Sequence, residues 1–240
     1  MTHISLPMRN VAIGIDDFKE IREKDLYYVD KTGLIEDIVA RNGTKVFLLT
    51  RPRRFGKSLN LSMIDAFFNL RYKGNTWFES LHVMGCDGCT AVMNTYPVIT
   101  VDLKGLNLDD MDSFLASFAV RISQVCYEHK YVLDSDVDDV KLAKFDKLRN
   151  ERGSRVDLEG SLKLISDVLY EYHGKPVMVL IDEYDNPIQN SYGTDMQPRI
   201  IGFMRNLLTN VLKTNPSLEF GVVTGVMQIA KESIFSGLNN

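Results

Sequence analysis

The sequence predicts an α/β fold built on a mostly parallel sheet, and three observations carry that reading. Four short apolar runs, at 46–49, 97–102, 177–181 and 218–223, are separated by long, mostly helical connections. Strand–helix–strand repetition of this kind gives parallel strands joined by right-handed crossovers. The run Val177-Met178-Val179-Leu180-Ile181 is apolar without alternation, the pattern of a strand buried on both faces. The third observation lies at the ends of the runs. One leads into Arg51-Pro52-Arg53-Arg54-Phe55-Gly56-Lys57-Ser58, one ends in Asp182-Glu183, and one ends in Thr224-Gly225. Open parallel sheets bind ligands beyond the carboxyl ends of their strands, so these remote pieces are expected on one edge.

Residues 11–30 read as an irregular entry with short extended pieces. Lys31 to Arg41 fits a helix, with Leu34, Ile35, Ile38 and Val39 on one face and Asn42-Gly43 as its stop. Val46 to Leu49 is the first strand. After the loop, Leu59, Met63, Ala66, Phe67 and Leu70 share a helical face. Residues 72–94 are loop-rich. Pro97 to Asp102 reads as the second strand, and Asp109 to Lys130 as a helix with Phe114, Leu115, Phe118, Ile122 and Val125 inward. Asp134 to Arg155 is polar, with helical patches only. Leu158 to Tyr172 is an amphipathic helix that Gly174-Lys175-Pro176 breaks. Val177 to Ile181 is the third strand, Gln197 to Leu212 a helix, and Leu218 to Val223 the fourth strand.

At 240 residues the chain can bury one large α/β core, and no repeat or low-complexity linker divides it. A single domain, 1–240, is expected. Hydrophobic content of 45% and charged content of 25% are ordinary for a globular chain. A net charge of −4 provides no overall basic field for nucleic acid; Arg51, Arg53, Arg54 and Lys57 form the local exception. Met1 to Pro7 lacks an apolar signal core, and no apolar run approaches the ~18 residues of a membrane span. Three cysteines do not make a disulfide framework, so the cytoplasm is the expected location, with no membrane partner.

Strand, loop, then Gly56-Lys57-Ser58 opening a helix is the context of a phosphate-binding loop. The backbone N–H groups at a helix start lack partners and carry partial positive charge, and a triphosphate satisfies both. Lys57 would reach the β- and γ-phosphates, and the Ser58 hydroxyl would ligate Mg²⁺. The general pattern G-x-x-x-x-G-K-[ST] has Arg51 in place of its first Gly. Pro52 has no N–H to give, so the cradle must come from residues nearer Lys57: Arg53, Arg54, Phe55, Gly56, Lys57, Ser58 and Leu59. Gly56 keeps the position where backbone and phosphate approach closely.

Asp182 and Glu183 close an apolar strand, the pattern called Walker B. The first carboxylate holds the Mg²⁺ shell, and the second can orient or deprotonate the attacking water. Alone, the pair would read as a strand end meeting solvent; beside Gly56-Lys57-Ser58 it reads as nucleotide chemistry. Glu183 favours hydrolysis over transfer to a small acceptor. Asp185 reads as a residue that caps or pairs rather than catalyses. Thr224 stands where a strand-end hydroxyl can sense the γ-phosphate or water. Cys86 and Cys89, with His82 nearby, make half a zinc site; the other half is missing, so loop cysteines without metal are expected. Asp134, Asp136 and Asp138 mimic the opening of a calcium loop, but Asp139 stands at the required Gly and Phe145 at the bidentate Glu. A solvated acidic turn is expected there.

Five stretches together resemble the bacterial AAA-ATPase-like P-loop family: Ile13 to Phe18, Tyr28 to Thr32, Arg51 to Ser58, Leu180 to Asp185 and Ser233 to Asn240. Arg51 is that family's own form of the loop. The resemblance implies a three-layer P-loop NTPase with sheet order 5-1-4-3-2, with the fifth strand missing from this C-terminally shortened chain. It places Lys57 and Ser58 on phosphate and Mg²⁺, Asp182 and Glu183 in Walker B, Thr224 at the sensor position, and Tyr28 to Thr32 near the adenine. Relatives often carry a nuclease-like C-terminal domain, so nucleic acid or such a domain is an expected partner class. An open sheet edge favours self-association, which puts a homo-oligomer beside it. The expected function is Mg²⁺-dependent ATP binding and hydrolysis driving a switch. The rival is a catalytically weak nucleotide-binding scaffold that recruits a partner, and a P-loop kinase is the third reading. Arg199 and Arg205 are candidate arginine fingers that nothing in spacing selects.

Overall fold

A computed structural model describes residues 10–41, 43–213 and 215–226. The Ser233 to Asn240 stretch of the resemblance lies outside them. The strands are β1 (Val46–Thr50), β2 (Val98–Asp102), β3 (Val177–Asp182) and β4 (Leu218–Gly225). The helices are α1 (Phe18–Glu23), α2 (Gly33–Ala40), α3 (Lys57–Phe68), α4 (Cys89–Val92), α5 (Met111–Glu128), α6 (Asp139–Arg149), α7 (Arg155–Glu159), α8 (Ser161–His173), α9 (Asn186–Asn190) and α10 (Gln197–Leu212). They fall into two compact units: one takes in the described parts of Met1–Asn42 with Ser58–Thr95, the other those of Gly43–Lys57 with Tyr96–Asn240.

The second unit holds the sheet. Its strands run parallel in the order β1-β4-β3-β2. Placing β4 between β1 and β3 brings three strand exits side by side. β3 is buried along its whole length, as its unbroken apolar run requires. α5 packs on β2, α8 on β3 and α10 on β4. Their apolar stripes meet the strands in one core: Phe114 and Phe118 of α5 pack edge or face against each other and Phe203 of α10, with centroids 5.0–6.2 Å apart.

The second unit departs from the sequence expectation in three places. α6 is continuous over eleven residues where only patches were expected. Its buried side is only Phe145 and Leu148, too sparse to show a period, but Asp138 caps it by accepting from the Lys141 N–H. The acidic turn is therefore a helix start. The helix expected from Leu158 to Tyr172 is two helices divided at Gly160, the first opened by a reciprocal capping box between Ser154 and Asp157. α9 follows Asp185 directly and has Pro187 in its first turn.

In the first unit, α1 replaces part of the irregular entry, capped by Asp17 and anchored by buried Phe18 and Ile21. The Phe18 ring lies 4.8 Å from Phe78, which lies 5.1 Å from Phe67 of α3. The Tyr28 to Thr32 stretch works here as a clip. Asp30 Oδ1 accepts from the Thr32 N–H at 2.8 Å and its hydroxyl at 2.7 Å, and Asp30 Oδ2 from the His82 N–H at 2.7 Å. The Thr32 hydroxyl then accepts from the Val83 N–H at 3.1 Å. Burial pushes the Asp30 carboxyl up, but these donors outweigh it and hold it below the ordinary carboxylate value. Cys86 and Cys89 are joined by a disulfide. Gly88, at φ +84°, makes the turn that brings them within reach, and neither thiolate is left for a metal.

His82 Nε2 lies 2.6 Å from Glu36 Oε2 on the surface, and that carboxylate raises the imidazole pKa. Burial lowers the pKa of His173 on α8. A raised histidine stabilises the fold below its ordinary pKa of 6.5, and that contribution is lost as pH rises through the folded value. NMR titration should therefore place His82 above 6.5 and His173 below it. Glu36→Gln should lower the His82 pKa, because its largest raising partner is removed, and leave His173 unmoved.

Candidate functional site

β1 ends at Thr50, and the chain turns through 51–56 into α3. Arg54 and Gly56 both take positive φ, +67° and +73°. Gly56 does so without steric cost. Arg51, Arg53, Arg54 and Phe55 are exposed, and Gly56, Ser58 and Leu59 are half-buried. Lys57 is only 7% exposed, and its ammonium donates to the Pro52 carbonyl at 3.2 Å. Pro52 offers no N–H, yet its carbonyl gives the loop an acceptor for the lysine.

β3 ends at Asp182, itself 7% exposed. The next residue, Glu183, takes φ +49°, a left-handed conformation uncommon for a residue with a Cβ. Thr224 of β4 supports this turn on both sides. Its carbonyl accepts from the Tyr184 N–H at 3.1 Å, and its hydroxyl from the Glu183 N–H at 3.3 Å. The same hydroxyl donates to Asp182 Oδ1, which also accepts from the Glu183 N–H at 3.0 Å. Thr224 is fully buried, so its hydroxyl is occupied in holding Asp182.

The phosphate-loop side joins the same strand end. The Arg51 N–H donates to the Gly225 carbonyl at 3.2 Å. Gly225 lies against the turn after β3: a Cβ there would stand 2.6 Å from Tyr184 Cε1 and 2.8 Å from Asp185 Oδ1. Asp185 is buried and accepts from the Gln189 side chain and from the Val226 N–H at 2.9 Å. It pairs rather than caps: it stands at the N-cap position of α9 without a side-chain cap hydrogen bond. Arg51, Asp182, Glu183 and Thr224 therefore lie at three adjacent strand ends tied by backbone and side-chain hydrogen bonds, and Lys57 follows Arg51 at the start of α3.

Two further polar residues reach this edge. Asp102 ends β2 in register with Asp182 on β3. Burial pushes its carboxyl up and the Asp182 charge adds to the effect, while the Lys104 N–H, donating at 2.8 Å, opposes both. The signal for Asp102 was present: its strand, like β3, closes on an acid. Asn186 lies within reach of the Glu183 carboxylate, at 3.3 Å. Its sequence context shows only a residue after an acidic turn.

A family model described as a predicted AAA-ATPase, AAA-ATPase-like, matches residues 12–235, and the chain belongs to that family. That family supports nucleotide binding in general terms. A curated protein of Azotobacter chroococcum mcd 1, named "Uncharacterized protein in vnfD 5'region", is 29% identical over 238 residues. The match covers 97% of this chain and 40% of that protein, so the chain spans two fifths of the length of the curated relative it matches. No solved structure matches the chain. Among the described residues, no helix is long and apolar enough to cross a membrane.

The Gly225 contact can be tested without reference to any reaction. Gly225→Ala should push the Tyr184-Asp185 turn away from β4 and lower stability by about 1–3 kcal/mol, the usual cost of overpacking. Denaturant unfolding measures it. Gly202, which has nothing within 4 Å of its would-be Cβ, serves as the Gly→Ala control.

Proposed function

From membership of the predicted AAA-ATPase family and the bonded rim of strand ends, we propose that this chain binds ATP with Mg²⁺ and hydrolyses it, using the energy to drive a conformational switch. The observation that carries the reading is the Thr224 node, which holds the Asp182-Glu183 turn of β3 beside the strand end that contacts Arg51. The loop 51–58 is the Walker A element and Asp182-Glu183 the Walker B element.

Each residue then has a chemical task. The start of α3 offers backbone N–H groups, and Lys57 the ammonium, to the β- and γ-phosphates. Arg53, Arg54 and Phe55 form the exposed lip of that cradle, continued by Gly56, Ser58 and Leu59. The Ser58 hydroxyl and the Asp182 carboxylate are hard oxygen donors of the kind Mg²⁺ takes. Asp182 keeps Oδ2 for that purpose, because Thr224 and the Glu183 N–H engage Oδ1. Bound there, Mg²⁺ would neutralise charge on the triphosphate. Glu183 orients the attacking water and accepts its proton. Thr224 acts by fixing Asp182 and the Glu183 backbone. A cytoplasmic site of action fits an ATP-consuming switch. Coupling to nucleic acid or to a nuclease-like domain rests on the family likeness, and pairing with a second copy of the chain on an open sheet edge; the exposed Arg51, Arg53 and Arg54 are the surface nucleic acid would meet.

Lys57→Ala should abolish tight ATP binding in a fluorescence titration; unchanged affinity would remove the loop from the site. Glu183→Gln should bind ATP as the unaltered chain does but release phosphate about 10²–10⁴-fold more slowly, the scale of a lost general base. Equal turnover in that variant would remove Glu183 from the mechanism.

A further inference from the structure

We infer that Asn186 is the positioning residue for the Glu183 carboxylate and couples it to the loop between β2 and α5. The inference rests on the hydrolytic reading of Glu183. Asn186 Nδ2 donates to Glu183 Oε2 at 3.3 Å. At the other end of the carboxamide, Oδ1 accepts from the Gly105 N–H at 3.3 Å and from Asn190 Nδ2 at 3.1 Å. A backbone N–H can only donate, so Gly105 fixes the orientation of the amide: its oxygen faces the loop and its nitrogen faces Glu183.

The geometry gives this bridge a function. Glu183 leaves a left-handed backbone and has a long, flexible side chain. The Thr224 node fixes its backbone but does not touch its carboxylate. The Asn186 donor does. A neutral donor also restrains the carboxylate without matching its charge, as a lysine would, and so leaves it able to take a proton. The loop at the far end is itself anchored. The Lys104 N–H donates to Asp102 Oδ1 at 2.8 Å, and Arg121 donates to the Lys104 carbonyl at 3.2 Å. Asp102 stands in register with Asp182. Through Asn186, displacement of the 103–110 loop changes where the Glu183 carboxylate points.

Asn186→Asp tests the donor alone. The replacement has the same shape and still accepts from Gly105 and Asn190, but it cannot donate to Glu183 and it adds a like charge. ATP affinity, by equilibrium titration of a fluorescent analogue, should change by less than about twofold, while kcat for phosphate release falls about tenfold or more. Asn186→Ala, which removes both ends without adding charge, should show the same separation of kcat from affinity. In a Glu183→Gln background, Asn186→Asp should lower kcat no further, because the group it positions is gone. Turnover at the unaltered rate in folded Asn186→Asp or Asn186→Ala overturns the inference and leaves the ATPase reading intact. A further tenfold loss in the Glu183→Gln background overturns it too. If the unaltered chain shows no Lys57-dependent phosphate release, the hydrolytic reading fails and this assignment falls with it.

Discussion

One threonine holds the site together. Thr224 bonds the turn after β3 through both its carbonyl and its hydroxyl. That turn needs the support, since a left-handed residue with a Cβ costs on the order of 1–3 kcal/mol. Hydrogen bonds of about 1 kcal/mol each, three of them from one residue, are of the right size to offset it. The link from that turn to the loop after β1 is available only because β4 lies between β1 and β3. In strict chain order, β4 would still meet β3, but Gly225 could not also accept from Arg51. Sheet order therefore comes before site chemistry, and the packing that sets it is the apolar burial of β3, β4, α5, α8 and α10.

Much of this was legible in the sequence, and the legible parts share a cause. Where burial is continuous or strictly periodic, the residue pattern reports it directly. β3 is buried throughout and reads as an unbroken apolar run. α10 buries Ile200, Phe203, Met204, Leu207, Leu208, Val211 and Leu212, and its bounds agree with the expected Gln197 to Leu212. The elements that escaped have little periodic burial. α1 is six residues held by Phe18 and Ile21, and the Phe18 N–H donates to Ser62, far along the chain. α6 sets only two side chains deep in the core. Its start depends on Asp138, a residue whose neighbours Asp134 and Asp136 make it look like part of an ion-binding loop.

The site divides in the same way. Residues that act from strand ends could be found because a strand end is visible as the close of an apolar run; Asp182, Glu183 and Thr224 are of this kind. Residues that act through register or through a loop partner could not be found in this manner. Asp102 can be read as the acid that closes β2, but that it stands opposite Asp182 follows only from strand pairing. Asn186 matters because Gly105, eighty-one positions away, orients its amide. The clip of Asp30 and Thr32 on His82 and Val83 is equally remote in sequence. In the Tyr28 to Thr32 stretch that the family likeness put beside the adenine, this clip gives Asp30 and Thr32 a structural occupation.

The departure at Arg51-Pro52 bears on how a nucleotide could change the shape of this chain. A glycine-rich loop offers phosphate many N–H donors and leaves its lysine free to meet the ligand. Here Pro52 withholds one donor and its carbonyl takes the Lys57 ammonium instead. A phosphate that draws the Lys57 ammonium toward itself competes with that carbonyl. The exchange replaces a neutral acceptor with a charged one, and charge-assisted hydrogen bonds are roughly twice as strong. Pro52 is an exposed residue, so its carbonyl can turn to water without a large desolvation cost. Its neighbour Arg51 is bonded through its N–H to Gly225, one residue past Thr224. On the ATPase reading, loop rearrangement on loading is thus connected, through one peptide and one strand end, to the support of Glu183. On that reading, the same proline that weakens the loop as a cradle would tie phosphate capture to the turn that carries Glu183.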